Sequence, residues 1–223
     1  MKFGVASGER HHTNCEDWGY DTHPLRPTSL ARRSKRLTQK IQNDVSSFDR
    51  FGFDTRRAHL FLFFGLTPSN CKCILGQYRG EKSCKYLEAL HVGIHGDPSV
   101  GLAPHLIANA MVDFEKRCQA LTNAHNYWLN NKGATQPPKN ALLRFVSVLA
   151  DVLQQFLTIH PYMDGNGHSA RLLTFTMMAR AGYQPTHWDI DAKQPYAEAL
   201  SSHRAGKPGA LQQFMLRAII GPV

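Results

Sequence analysis

The stretch HPYMDGNGHSAR, residues 160–171, determines how this chain arranges its most reactive side chains. It combines a histidine, a carboxylate, a Gly-Asn-Gly turn and an arginine, and apolar segments lie on both sides. Gly165 and Gly167 let the backbone turn sharply and approach an anion closely. A helix that begins near His168 would direct its positive end into the same space, with Arg171 one turn along it. The pattern predicts a phosphate-binding loop between two helices.

Apolar residues on both sides of this loop recur at the spacing of amphipathic or buried helices. With 42% hydrophobic residues, the chain is also able to bury a sizeable core. Pro161 ends the upstream helix, and Gly182 is a stop signal for the downstream one. The predicted helices are 140–159 and 168–181 around the loop, 102–129 before them in one or two pieces, and 191–204 and 208–220 after them.

The loop resembles the motif of the Fic family, which reads His-Pro-Phe-x-Asp/Glu-Gly-Asn-Gly-Arg-x-x-Arg. Tyr162 replaces the phenylalanine conservatively, and His168 replaces the first of the two arginines. The resemblance extends less directly over roughly residues 85–183 and does not include the first eighty. The positions that agree with the motif are His160, Pro161, Asp164, Gly165, Asn166, Gly167 and Arg171.

The resemblance implies an enzyme that moves AMP from ATP onto a Ser, Thr or Tyr hydroxyl of a target protein, with Mg²⁺ on the phosphates. His160 would be the general base, since an ordinary histidine has a pKa of about 6.5. Asp164 would supply a carboxylate to Mg²⁺, because this ion prefers oxygen ligands. Arg171 inherits the role of holding the γ-phosphate. The expected phosphate-binding residues are Gly165, Asn166, Gly167, His168 and Arg171.

The resemblance also implies an all-α, mainly helical Fic-type fold with a small β-hairpin flap over the active site. Residues 88–103 fit this flap, because Leu90, Val92 and Ile94 alternate with polar or small residues before a Gly-Asp-Pro turn. A target protein would dock on the 88–103 hairpin by strand addition. An ordinary surface hairpin is the alternative.

Two alternatives concern the histidines of the loop. His160, Asp164 and His168 are spaced four apart, as metal ligands on one helix would be, but Pro161 and the glycines argue against a continuous helix. His168 cannot form the bidentate fork of an arginine, and its charge depends on pH. It would either donate one hydrogen bond to a phosphate, or indicate a different nucleotide or a weaker hold on the triphosphate.

The amino-terminal part differs in composition from the rest. Residues 1–83 carry +6 of the net charge of +9, so we predict a basic, partly helical extension over 1–83 and a catalytic domain over 84–223. A basic cluster in this extension is either a solvated helix face or a contact for nucleic acid, an acidic partner or anionic lipid. Residues 1–29 are expected to form a loose arm and 59–66 to join a core. The cluster consists of Arg32, Arg33, Lys35, Arg36 and Lys40.

The five cysteines do not suggest a disulfide framework, and their odd number favours a reducing compartment. Cys71-Lys72-Cys73 with Cys84 is only a loose match to a zinc site. No run of about 18 uncharged apolar residues is present, so no membrane span is expected. Residues 1–10 lack the apolar run of a secretory signal. We expect a cytoplasmic protein, or one exported without a cleavable signal peptide.

The sequence therefore predicts a protein adenylyltransferase with Mg²⁺ as cofactor and ATP as donor. No glutamate lies in the Ser/Thr-x-x-x-Glu-Gly/Asn pattern of the family's inhibitory helix. A separate antitoxin or inhibitor protein would supply that glutamate, or the protein is a free-acting toxin or effector. The alternatives are transfer of another nucleotide or of phosphate, and a catalytically weak basic protein that binds nucleic acid.

Overall fold

The fold is built from helices that pack around a central pair. The computed structural model describes residues 15, 18–44, 53–93, 99–130, 141–191 and 197–220, and in these ranges it contains helices and no β-strand. Short 3₁₀ helices lie at Tyr20–Thr22 and Ser69–Ile74. The α-helices are α1 (Arg26–Asn43), α2 (Thr55–Phe63), α3 (Pro104–Asn130), α4 (Ala141–Ile159), α5 (Asn166–Arg180), α6 (Ala197–Arg204) and α7 (Gly209–Ile220).

Helices α4 and α5 form the centre, and the 160–165 loop connects them. Helix α5 is buried along almost its whole length, as its all-round apolar pattern predicts. Helix α4 packs against α3, α5, α6 and α7, while α1 and α2 pack against α5 from the other side. The loop is therefore held between two core helices, and the mainly helical class is confirmed.

Among the described residues, α4 is the helix that is long and apolar enough to cross a membrane. It carries Arg144 and Asp151, and its apolar face lies in the core between its neighbouring helices. These are the properties of the core helix of a bundle.

The predicted helices around the loop are confirmed with small shifts of their ends. Helix α5 begins at Asn166, two residues before the expected start, and α3 runs unbroken. Of the helix predicted over 191–204, residues 197–204 are helical and 192–196 lie outside the described residues.

The β-hairpin predicted over 88–103 is not supported. Residues 88–93 and 99–103 form turns and irregular loop, and 94–98 lie outside the described residues. The two arms do lie side by side, since a Cβ on Gly93 would be 3.5 Å from the Val100 carbonyl oxygen. However, Gly101 and Leu102 donate their N–H groups to carbonyls at the end of α4, at 2.9 and 3.2 Å. Their hydrogen bonds to α4 replace the ladder that a hairpin needs.

The amino-terminal arm is less loose than expected. Cys15, Trp18 and Tyr20 are buried in the same core as α4 and α5, so the prediction is wrong for these positions, while residues 1–14 lie outside the described part. The basic cluster lies on α1 and is mostly exposed, and Arg33 donates to the Leu62 carbonyl at 3.0 Å. The division at residue 83 stays a prediction.

The cysteine interpretation is also corrected. Disulfides join Cys15 to Cys71 and Cys73 to Cys84, and Cys118 is a buried free thiol. The first disulfide spans 56 residues of sequence and fixes the amino-terminal segment to the core. Sequence spacing gave no indication of these pairs, because cysteine connectivity depends on the tertiary fold and not on spacing alone.

Candidate active site

His160 follows the last turn of α4 in an unusual conformation. It has a φ of 52°, and it is the one non-glycine residue with positive φ among the described residues. Its N–H still donates to the Phe156 carbonyl at 3.0 Å. Its Nδ1 lies 3.3 Å from the Leu157 carbonyl oxygen, which only accepts, so Nδ1 carries the proton. Nε2 is then the ring nitrogen that can accept a proton.

The half-buried position of His160 lowers the pKa of its imidazole. Burial is the main cause, and the positive charges of Arg79 and Arg204 add to it, while the hydrogen bond to Leu157 acts in the opposite direction. A lowered pKa keeps the ring neutral at neutral pH, which a general base requires.

Gly165 and Asn166 form the turn into α5. Gly165 has a φ of 76°, and a Cβ there would collide with the ring of Phe63. The Asn166 amide is buried and braces the loop, since it accepts from the Tyr162 N–H at 2.9 Å and donates to the Tyr162 carbonyl at 2.8 Å. The N-cap residue Gly165 makes no side-chain cap hydrogen bond to α5, and the backbone N–H groups of Asn166, Gly167 and His168 lie in the first turn, where helices are able to bind anions.

Asp164 lies beside this helix start and is partly accessible. Its two oxygens accept from the Gly165 N–H at 2.7 Å and from the Tyr20 N–H at 3.4 Å. Burial raises the pKa of this carboxyl to about 6, although both hydrogen bonds act against the shift. The group is therefore ionised at pH 7 and above. One carboxylate, completed by phosphate oxygens and water, fits the way Mg²⁺ is usually held.

His168 is buried and both of its ring nitrogens contact protein groups. Nε2 lies 3.4 Å from the Asp191 carboxylate and Nδ1 lies 3.0 Å from the Tyr20 hydroxyl. The carboxylate only accepts, so Nε2 donates to it and the Tyr20 hydroxyl donates to Nδ1. Burial, with Arg171 and Arg26 nearby, lowers the pKa of His168 to about 3. The ring is thus neutral near pH 7, contrary to the expectation of a charge that changes with pH.

Arg171 lies one turn into α5, as the sequence predicts. It is 6% exposed, and its Nε donates to the Ile190 carbonyl at 2.8 Å. A Cβ on Gly167 would be 3.2 Å from its Nη1, so the guanidinium lies directly against the first turn of α5. The position is suited to a cation beneath the helix start.

The structure brings the loop together with residues that sequence reasoning missed. His59 on α2 accepts from the Gly76 N–H at 3.1 Å through Nδ1, so its Nε2 carries the proton and donates to the Asp164 carbonyl at 3.0 Å. It stacks on Tyr162 with ring centroids 4.0 Å apart, and the Tyr162 hydroxyl bonds to Thr55 at 2.7 Å. The contacts of His59 with Asp164 and Tyr162, and of Thr55 with Tyr162, join positions about a hundred residues apart, which no local sequence pattern indicates.

Comparison with known proteins identifies a protein family that this part of the chain matches. Residues 85–178 match the model of the Fic/DOC family, so the resemblance carried by the 160–171 motif is confirmed. No group of three or more metal-binding side chains is found among the described residues, and the transition-metal alternative gains no support.

Several similar proteins bear the name protein adenylyltransferase Fic. One from Nematostella vectensis is 29% identical over 128 residues, which are 57% of this chain and 27% of that protein. One from Aedes aegypti is 40% identical over 86 residues, 39% of this chain and 16% of that protein. One from Drosophila grimshawi is 35% identical over 95 residues, 43% and 18% respectively. The match thus spans about a quarter or less of each relative's length.

Proposed function

We propose that the protein transfers AMP from ATP to a Ser, Thr or Tyr hydroxyl of a target protein. The observation that supports this most directly is the contact of His160 Nδ1 with the Leu157 carbonyl, which leaves Nε2 as the unprotonated nitrogen of a half-buried ring. In this proposal, Nε2 accepts the proton of the attacking hydroxyl, whose oxygen forms a bond to the α-phosphorus as the bond to pyrophosphate breaks.

The remaining residues of the loop bind the donor. The uncapped start of α5, with the N–H groups of Asn166, Gly167 and His168, stabilises the charge on the transferring phosphate, as backbone donors do in other phosphate sites. Asp164 would hold Mg²⁺, which neutralises phosphate charge when bound. Arg171, buried against Gly167, adds a fixed positive charge for the terminal phosphates.

His168 is the reason to keep a second candidate. Its neutral ring is engaged by Tyr20 and Asp191, so it supplies no cation where the family motif has an arginine. The site therefore has one positive charge fewer for binding a triphosphate than the family motif provides. Another nucleotide or phosphate donor is the alternative. A single hydrogen bond from the His168 side chain to a phosphate would require one of its present partners to leave.

The decisive experiment presents the protein with each labelled nucleoside triphosphate and Mg²⁺, together with candidate targets, and measures intact mass. We expect the mass gain of one AMP with ATP, and none with His160→Ala. His187→Ala, which changes an exposed histidine of another loop, is the control and should transfer normally. A gain with another nucleotide favours the second candidate. Salt-dependent nucleic-acid binding without any transfer would favour the basic binding protein instead.

We also propose a cellular location and binding partners. Two disulfides form and persist in oxidising surroundings, which favours export over a cytoplasmic location. The target protein docks on the 88–103 segment, whose two arms lie side by side near His160. A separate antitoxin or inhibitor protein stays a prediction.

A further inference from the structure

Arg79 occupies a position that the motif does not indicate. It is 1% exposed, and its guanidinium donates to carbonyl groups from three separate parts of the chain. Nε donates to the His160 carbonyl at 2.9 Å, and Nη1 to Leu90 at 2.9 Å. Nη2 donates to Leu102 at 3.1 Å and to Ile159 at 3.3 Å. The fork therefore joins the start of the loop to both arms of the 88–103 segment.

A buried arginine of this kind is costly, because the charge leaves water. Within the described ranges no carboxylate forms an ion pair with it, and its partners are neutral carbonyls. Burial lowers the pKa of Arg79 to about 10, so it is still charged at neutral pH. A lysine would carry the same charge but lacks the planar fork that reaches several carbonyls at once.

The conformation of His160 explains the role of the buried Arg79 guanidinium. Positive φ is unfavourable for a residue with a side chain, and such residues persist only where surrounding contacts fix them. Arg79 holds the peptides on both sides of this strain, since Nη2 donates to the Ile159 carbonyl at 3.3 Å and Nε donates to the His160 carbonyl. The backbone N–H of Arg79 also donates to the Pro161 carbonyl at 2.8 Å. The direction of the imidazole depends on this backbone geometry.

The same side chain fixes the segment proposed to dock the target. Leu90 and Leu102 belong to opposite arms, and each gives its carbonyl to Arg79. Their distance from His160 is therefore set by one rigid group. A hydroxyl presented along these arms would be held at a constant position relative to Nε2.

We propose that Arg79 is a positioning residue for the transfer reaction: it holds His160 in its strained conformation and in register with the two arms at 88–93 and 99–103. The inference rests on the proposed function for its kinetic consequence. Its structural part, the control of His160 by Arg79, is testable whether or not AMP is the group transferred.

The kinetic test compares Arg79→Lys with the wild type and with Met111→Ala. Met111 is fully buried on α3, outside the 160–165 loop, so its truncation lowers stability and serves as the control for a loss of stability alone. We expect Arg79→Lys to lower kcat by about 10²-fold, the scale of a small misplacement of a catalytic group, with the nucleotide Kd unchanged within about twofold. Millimolar guanidinium added to Arg79→Ala should restore part of kcat and should not help Met111→Ala. Equal losses of kcat in Arg79→Lys and Met111→Ala at matched stability would overturn the proposal.

A chemical test does not depend on activity. Diethyl pyrocarbonate modifies neutral imidazoles, and the rate at His160 is read by peptide mass spectrometry against exposed His187 in the same digest. Arg79→Lys should change the rate at His160 several-fold and leave His187 unchanged. An unchanged rate at His160 in the folded variant would show that Arg79 does not position it. If the wild type transfers no nucleotide, the proposed function fails while this result still decides the role of Arg79.

A third measurement needs only the wild-type protein. With ¹⁵N-labelled arginine, the Nε–H of Arg79 should exchange slowly with solvent, because it is buried and bonded to the His160 carbonyl. Rapid exchange of this group in the folded protein would contradict the proposal even if no variant at position 79 folds.

Discussion

The two halves of the 160–168 segment, which comprises the loop and the first residues of α5, are held in different ways. The His160 half is fixed through its backbone, by the end of α4 and the guanidinium of Arg79, and its ring keeps one nitrogen available. The Asp164–His168 half is fixed by residues of the amino-terminal part, namely the backbone N–H and hydroxyl of Tyr20 and the rings of His59 and Phe63. The first arrangement leaves a proton acceptor accessible, whereas the second leaves His168 buried and fully engaged.

This difference shows that residues outside the 160–171 motif are needed to hold the motif in its observed conformation. The segment that matches the Fic/DOC family begins at residue 85, but both halves are supported by residues before it. The Cys15–Cys71 disulfide holds Tyr20 on the same side of the loop as His59 and Phe63. Changes in each half should therefore have different consequences.

The largest effect is expected in the His160 half. His160→Ala removes the proton acceptor, so transfer should fall by about 10²–10⁴-fold while the nucleotide Kd stays the same. Transfer is measured by labelled ATP and binding by calorimetry. Near wild-type transfer by this variant would remove His160 from the mechanism, and a lost Kd would place it in the nucleotide site instead.

The next effect tests the packing of the other half. Gly165→Ala adds a Cβ that meets the Phe63 ring, at a residue whose φ of 76° is already unfavourable for alanine. Gly182→Ala is a matched control, because Gly182 has a φ of 83° and open space around it. Backbone strain costs about 1–3 kcal/mol in both, and overpacking adds a similar amount only at Gly165. Denaturant titration should show the larger loss for Gly165→Ala. Equal losses would mean that Phe63 moves aside without cost.

A moderate effect is expected from the titration of Asp164. Its pKa of about 6 lies above the ordinary value of 3.8, so the carboxylate is lost as pH falls through 6. Mg²⁺-dependent nucleotide binding should then weaken about tenfold for each pH unit below that value. Calorimetry in the His160→Ala background separates the titration of Asp164 from that of His160. Asp164→Ala should bind weakly and show no such pH dependence.

The pH dependence of stability that Asp164 contributes has the opposite sign to that of most carboxylates. A raised folded-state pKa means that the folded protein binds the proton more tightly than the unfolded chain. This contribution to stability is present at low pH and is lost as pH rises from about 4 to about 6. Asp164→Asn should therefore be at least as stable as the wild type at pH 7 while losing Mg²⁺-dependent binding. A clear loss of stability in Asp164→Asn would show that the ionised group is favourable in the fold.

Much of the fold could be predicted because helices leave a local pattern. The periodic apolar residues of α3, α4 and α5 indicate their extents to within a few residues. The 88–103 hairpin is implied by the resemblance to the Fic family and fits a short alternation of apolar residues, yet Arg79 and the end of α4 take the hydrogen-bonding groups of Leu90, Gly101 and Leu102. An alternating pattern indicates which side chains are apolar, but it does not indicate which groups the backbone forms hydrogen bonds with.

The sequence predicts that the candidate site residues lie close together, but it does not predict their surroundings. His160, Asp164, Gly165 and Arg171 lie around one loop, as the spacing indicates. The Asn166 amide and the His168 ring, by contrast, are committed to protein partners. Burial sets the charge of His168, and burial depends on Tyr20 and Asp191, which are distant in sequence.

The smallest effect distinguishes a supporting from a ligand-binding role for His168. Tyr20→Phe removes the hydroxyl that donates to His168 Nδ1 and should lower stability by about 1 kcal/mol. Tyr183→Phe is the matched control, since the Tyr183 hydroxyl lies 3.2 Å from His125 Nε2 in a similar pair away from the loop. Thermal unfolding should give comparable losses for the two variants. Because the His168 ring faces Tyr20 and Asp191, the nucleotide Kd should stay within about twofold of the wild type in both. A change in Kd well beyond this in Tyr20→Phe alone would mean that the Tyr20–His168 pair contacts the nucleotide.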